Sequence, residues 1–305
     1  MQPPAGLLSK PAAPPSPPSE PPSTVILHAP VFRIHTVTDF DDPQLTPYRN
    51  MRYQVDPVGE GRFVAEGEKV VRRMLESPIR VVSMLLPPEW QAEYEPMLRA
   101  RPEEIDLFIA ERDLLTQLTG FKLFQGVLGL GYVPRPATLQ ELLDLPRPRL
   151  FAAVDAVSNS VNVGLVLRNA AAMGVQALIV GETSAHPYLR RSVRTCMGTL
   201  FRMPYLLSPS LTVTLHQLRQ NGVRCLAAHP HTNQRLLPDA RLDQDCCIVL
   251  GSEGEGIRPE VLAACDEQVV IPMQSGVDSL NVGNASAVFF YEAWRQRMAR
   301  SFQTV

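Results

Sequence analysis

Apolar and polar positions follow two periods along this chain. In 67–77 (GEKVVRRMLES), Val70, Val71, Met74 and Leu75 recur at helical spacing and share one face. Arg62–Glu66, 80–86 (RVVSMLL), Ile105–Ala110 and 126–133 (GVLGLGYV) read as short strands. Helical patterns at 67–77, 90–100 and 112–118 separate them, with Pro87 and Gly120 as stops. This predicts an α/β layer of roughly 90 residues. Pro134, Pro136, Pro146 and Pro148 then mark a linker.

The second half alternates again. A strand at 150–156, a helix at 163–173 closed by Gly174 and a strand at 175–180 form one β-α-β unit, which implies a parallel pair with a right-handed crossover. A helix at 211–221, closed by Gly222, precedes a strand at 223–228. Cys246–Leu250 (CCIVL) is uninterrupted apolar sequence, as a strand buried on both faces requires. A helix at 259–265, a strand at 268–271 and a helix at 285–300 complete the pattern. In the last, Val288, Phe289, Glu292, Ala293 and Met298 mark the apolar and polar faces. The expectation is a parallel-sheet α/β domain whose ligands bind in loops beyond the strand C-termini.

Composition changes the picture at three points. Residues 1–24 hold nine of the 29 prolines, so this stretch is expected to be a disordered tail. It lacks the basic and apolar segments of a secretory signal, and no apolar run approaches the ~18 residues of a membrane helix. The five cysteines form no C-x-x-C pair and have no histidine at zinc spacing, so they read as buried thiols in a reducing compartment, without a metal. The six histidines show no catalytic pairing, and most read as surface or loop residues.

Net charge is −2, which excludes a globally basic nucleic-acid coat. The cations are 26 Arg and three Lys, and the three lysines all precede residue 150. Residues 186–202 carry Arg190, Arg191, Arg194 and Arg202 with no acid, a local phosphate-binding face.

Three loops at the predicted strand ends carry the candidate chemistry. In 159–168 (NSVNVGLVLR), Asn162 suits an N-cap, Gly164 permits close backbone approach, and Arg168 can face a phosphate or a hydroxyl. In 251–256 (GSEGEG), three glycines demand a tight turn or close contact with a ligand. No Lys-Ser/Thr follows, and Glu253 and Glu255 repel phosphate, so this is no P-loop. Its G-x-x-G-x-G spacing also disfavours a dinucleotide site and a dehydrogenase. A nucleoside without phosphates fits it, and so does a structural turn. In 271–284 (IPMQSGVDSLNVGN), Asp278 or Ser279 can cap the last helix, which leaves Asn281 and Asn284 unexplained by capping.

In this order the three loops resemble the motifs of the SpoU/TrmH family of RNA 2′-O-ribose methyltransferases. The resemblance runs through 151–300. It extends to FVAEG at 63–67 and TGFKLFQGVLG at 119–129, which look like the family's ribosomal-protein-like substrate-binding domain. It implies a SPOUT fold: a parallel sheet with a C-terminal trefoil knot at 150–305, preceded by a small α/β RNA-binding domain at 45–145. It also implies a cytoplasmic homodimer that binds S-adenosylmethionine through Gly251, Ile271 and Leu280. Arg168 would then bind the target phosphate and stabilise the developing alkoxide. Asn162 and Asn281 would orient Arg168 and the ribose, Glu253 would hold an Arg or Asn, and Ser279 would contact phosphate or cap the helix. Arg190, Arg191, Arg194 and Arg202 would contact RNA, with rRNA favoured over tRNA by analogy. Ser160-Val161, Cys196 and Gly283-Asn284 depart from the family pattern without removing a proposed catalytic group. A catalytically silent RNA-binding or ribosome-assembly factor on the same fold is the alternative.

Overall fold

The computed structural model describes residues 32–50, 57–120 and 126–303. The expected tail at 1–24 and part of the 119–129 motif lie outside the described residues. The N-terminal elements are β1 (Phe32–Val37), α1 (Thr46–Asn50), β2 (Arg62–Glu66), α2 (Glu68–Leu75), β3 (Val81–Leu86), α3 (Gln91–Arg99), β4 (Ile105–Ala110), α4 (Arg112–Thr119) and β5 (Leu128–Tyr132). They build a five-stranded sheet in the order β1-β4-β3-β5-β2. β1, β4 and β3 are parallel, whereas β5 runs antiparallel to β3 and β2. β2 and β4 coincide with their sequence-predicted bounds, because nearly every residue in them is buried. β1 was not predicted: it is an edge strand whose residues are mostly exposed or half-buried, so it lacks an apolar signature.

α5 (Leu139–Leu143) follows, inside the predicted linker. A capping box joins Thr138 and Glu141, and Leu142 and Leu143 enter a core shared with the next sheet. The prolines therefore bracket a packed helix rather than a free spacer.

The C-terminal elements are β6 (Leu150–Val154), α6 (Ser160–Ala172), β7 (Ala177–Val180), α7 (Arg190–Thr195), β8 (Tyr205–Leu207), α8 (Leu211–Gln220), β9 (Arg224–Ala228), β10 (Arg235–Leu236), β11 (Cys246–Leu250), α9 (Pro259–Ala264), β12 (Glu267–Val270) and α10 (Val282–Gln303). Their sheet is parallel throughout, in the order β10-β12-β9-β11-β6-β7-β8. β6 and β11 lie side by side at its centre, and every residue in both is buried. The strand order reverses about β6, the arrangement that opens a crevice at the strand C-termini.

One hydrophobic core runs from the first sheet into the second. The Phe63 ring on β2 meets Tyr188 edge-on at 4.9 Å and Phe201 at 5.4 Å. α10 packs Phe289, Phe290 and Ala293 inward. Val288 and Met298, read from the sequence as marking its faces with Phe289, are exposed at 39% and 38%, beside exposed Tyr291 and Trp294.

Candidate active site

The C-terminal ends of β9, β11 and β12 border a pocket of about 250 Å³. Gly251, Ile271 and Leu280, which the resemblance named in two separate loops, all line it, and so do Glu253 and Ser279. Leu250, Ile257, Val269 and Phe289 supply apolar wall. Glu253 and Glu255 put acids at the same cavity. That combination accepts an apolar or aromatic ligand carrying positive charge and disfavours a phosphate.

The glycine loop is shaped by its own backbone. Ser252 N–H donates to the Gly256 carbonyl at 3.0 Å, and Gly256 N–H returns a bond to Ser252 at 3.2 Å. Gly256 has φ 74°, in the left-handed region that glycine enters freely. A Cβ on Gly251 would sit 2.3 Å from the Gly256 carbonyl carbon and 2.4 Å from Ile257 N. Gly251 is thus required by the loop's closure on itself. Gly164, by contrast, serves helix packing. A Cβ there would lie 2.7 Å from both the Ser192 carbonyl oxygen and Thr195 Cβ, so α6 meets α7 through it rather than meeting a ligand.

A polar chain crosses the mouth of the site. Asn281 Nδ2 donates to Asn162 Oδ1 at 3.2 Å and to the Glu253 carboxylate. Asn281 Oδ1 accepts from Gly283 N–H at 2.8 Å, and its carbonyl accepts from Ala285 N–H. Asn281 therefore caps α10, and neither Asp278 nor Ser279 does. Likewise the N-cap of α6 is Asn159, whose side chain accepts from Val161 N–H. Asn162 lies inside the helix, buried, and faces Asn281. A cap was expected at Asn162 because it is the last polar residue before an apolar run, but the helix begins three residues earlier than expected, at Ser160. Glu253 holds an asparagine, one of its two expected partners. Arg168 is exposed on α6 and is not among the pocket's lining residues, and its side chain makes no hydrogen bond or ion pair with another described residue.

The arginine stretch is not acid-free in three dimensions. Glu66, at the end of β2 and buried, accepts from Arg190 at 3.0 Å and from Arg194 at 2.9 Å. Arg202 donates to the Glu76 carbonyl, and Arg73 to the Met197 carbonyl at 2.6 Å. Part of the predicted RNA-facing cluster thus seals the two sheets together. The acid lies 124 residues away in sequence, which is why the local charge pattern missed it. Arg191 and Arg194 remain exposed.

Several residues escaped sequence reasoning. His229 and His231 line the pocket just beyond β9, and His229 Nδ1 accepts from His231 N–H at 3.1 Å. Burial, reinforced by nearby His231, lowers the His229 pKa. His186 lies in a loop, as expected, but is half-buried there beside Tyr188 and Tyr205. Buried Asp155 and half-buried Arg258 form an ion pair behind the glycine loop. The signal for His229 was its place directly after an apolar strand, as with Gly251. For Asp155 and Arg258, 103 residues apart, no local signal existed. The cysteines are free, and burial pushes the Cys246 thiol up to about 11 and raises Cys196, so neither is poised as a thiolate. Among the described residues no cluster of His, Cys, Asp or Glu could hold a metal.

Residues 149–291 match the SpoU rRNA Methylase family. An uncharacterized tRNA/rRNA methyltransferase of Mycobacterium tuberculosis is 34% identical over 271 residues, covering 86% of this chain and 92% of that protein. A 23S rRNA (guanosine-2′-O-)-methyltransferase, RlmB, of a Burkholderia species is 33% identical over 196 residues, covering 64% of this chain and 79% of its own. Among solved structures, the SpoU methyltransferase AviRb from Streptomyces viridochromogenes in complex with the cofactor AdoMet superposes with a TM-score of 0.73 at 23% identity. The match covers 85% of this chain and 99% of that one, a likeness of fold.

Proposed function

Because the chain belongs to the SpoU rRNA methylase family, we propose that it is an S-adenosylmethionine-dependent methyltransferase acting on a ribose 2′-hydroxyl of RNA. The observation that carries this reading is convergence. Gly251, Ile271 and Leu280 meet in one pocket, and Asn162, Glu253 and Asn281 join in one hydrogen-bonded chain at its edge.

The cofactor suits the site's chemistry. Apolar walls fit an adenosine, loop backbone can recognise it, and the acids favour a cation over a phosphate. When bound, S-adenosylmethionine supplies an electrophilic methyl on its sulfonium. Gly251, Ile271 and Leu280 would hold it. Asn281, fixed by Glu253 and capping α10, would set the edge against which the ribose lies. The Arg168 side chain, without a partner among the described residues, would grip the target phosphate and stabilise the alkoxide as the hydroxyl loses its proton. A guanidinium donates hydrogen bonds and accepts none, so its role is electrostatic rather than that of a base. Ser279, exposed at the pocket and free of capping duty, would contact substrate.

The finer assignments follow the same reading. Residues 150–305 would form the methyltransferase domain with its trefoil knot, and 45–145 the RNA-binding domain. Arg191 and the exposed Arg194 would meet phosphate, alongside Arg190 and Arg202 once RNA reaches the seam. Exposed Val288, Tyr291 and Trp294 on α10 support a homodimer. No described helix is long and apolar enough to cross a membrane, and a cytoplasmic place beside ribosomal RNA suits the relatives' names. Incubation with labelled S-adenosylmethionine and separate rRNA and tRNA pools tests the reading. Label is expected in RNA, and RNA binding with no label in either pool would identify a silent binding factor.

A further inference from the structure

The loop that lines the pocket closes on itself between Ser252 and Gly256, but nothing in that closure fixes where it sits on the sheet. Three of its six residues, 251–256, are glycine, and Glu253, Gly254 and Glu255 are exposed. Its two ends are nevertheless fixed by one residue on another strand. Asp155, directly after β6, donates its backbone N–H to the Leu250 carbonyl at 2.8 Å, where the loop starts. Its carboxylate accepts the Arg258 backbone N–H on Oδ2 and Arg258 Nε on Oδ1, both at 2.8 Å, where the loop ends. Asp155 is fully buried, so both carboxylate oxygens are used without help from the surface. Arg258 then reaches Glu182 beyond β7 at 2.8 Å, and Glu182 Oε2 accepts from Leu211 N–H at 2.9 Å. The C-terminal ends of β6, β7 and β11 are thereby tied through one guanidinium.

Neither Asp155 nor Arg258 lines the pocket. Ile257, between the loop and Arg258, does line it and is buried. A shift at Arg258 therefore passes directly to the pocket wall. We propose that Asp155 and Arg258 are a positioning pair that holds the glycine loop in its cofactor-binding shape while touching neither cofactor nor RNA. This rests on reading the pocket as the S-adenosylmethionine site. Asp155 is buried and Arg258 half-buried, and an ion pair that takes a carboxylate out of water is often no gain in stability over apolar packing. Here it fixes where the loop sits on the sheet.

The test uses the full chain and S-adenosylmethionine itself. Arg258→Ala and Asp155→Asn should raise the calorimetric Kd and the KM for S-adenosylmethionine by about tenfold or more, since loop geometry governs the contacts. kcat at saturating cofactor and KM for RNA should stay within about twofold. Arg258→Lys keeps the charge but loses the two-nitrogen fork, so it should weaken cofactor binding by an intermediate factor. It also carries the test if Asp155→Asn fails to fold. Glu103→Gln, in the Arg101–Glu103 pair of the first sheet, is the comparison. It should lower thermal stability and leave the cofactor Kd alone. If wild type binds S-adenosylmethionine and the Arg258 variants bind it equally well, the positioning role is overturned. A wild type that binds none overturns the cofactor reading and this inference together.

Discussion

The pocket beyond the second sheet and the arginine seam between the sheets both serve the same half of the chain, but they are built from opposite materials. The pocket is shaped by backbone: a glycine loop closed on itself, an asparagine cap and a buried carboxylate behind them. The seam is made by long side chains, with Arg190 and Arg194 converging on Glu66. The difference teaches where each region is vulnerable. The pocket should fail most when atoms are added to its loop, and the seam when charge is removed.

The largest effect falls on the pocket. Gly251→Ala would place a Cβ 2.3 Å from backbone that has nowhere to move cheaply. Cofactor affinity should fall by about 100-fold or more, because overpacking displaces the loop itself. Calorimetry that finds wild-type affinity would show that the loop opens readily, and the contrast with the seam would dissolve.

Next comes Arg168→Ala. It removes an exposed cation outside the pocket lining, so transfer should drop about 10²- to 10³-fold with the cofactor Kd unchanged. Single-turnover rates and calorimetry separate the two. Weakened cofactor binding in this variant would place Arg168 in the pocket instead.

Glu66→Gln targets the seam. Two arginines lose their acid, one of them well exposed, and thermal denaturation should show a loss of about 1–3 kcal/mol. RNA affinity should hold or rise, since Arg190 and Arg194 are freed for phosphate. A fall in RNA affinity would mean that Glu66 orients the arginines for RNA rather than competing with it. Arg191→Ala is milder still. It should weaken RNA binding across sequences and reduce the salt slope by about one.

The smallest effect concerns pH at the seam. Burial lowers the His186 pKa, so the folded chain binds fewer protons there than the unfolded one. The associated stability is complete above the unfolded value near ~6.5 and is lost as pH falls from there towards the folded pKa. Melts at descending pH should therefore decline less steeply in His186→Gln than in wild type. An equal slope in both would assign the decline to other groups.

Legibility in the sequence followed the same division. β11 was readable because burial on both faces leaves an uninterrupted apolar run, and β2 and β4 because apolar residues fill all but one or two of their positions. β1, β8 and β10 were not, being short or placed at the sheet edges. Glycines and small polar residues stood out where strands end, and the family resemblance named the particular residues. Gly251, Ile271, Leu280, Glu253 and Ser279 all arrive at the cavity. What failed was anything decided by distant partners. Asn162 looked like a cap until Asn281 supplied its true neighbour, and the arginine run looked unopposed until Glu66 folded against it. The Asp155–Arg258 tie joins residues that no local window contains.

The central claim is transfer of a methyl group to a ribose 2′-oxygen. The purified chain should be incubated with S-adenosylmethionine labelled in its methyl group and with rRNA, and the product digested in alkali. A 2′-O-methyl group removes the hydroxyl that alkaline cleavage requires, so label should emerge in alkali-resistant dinucleotides. Label in mononucleotides would place the methyl on a base and contradict the account, and absence of label with RNA bound would contradict it as firmly.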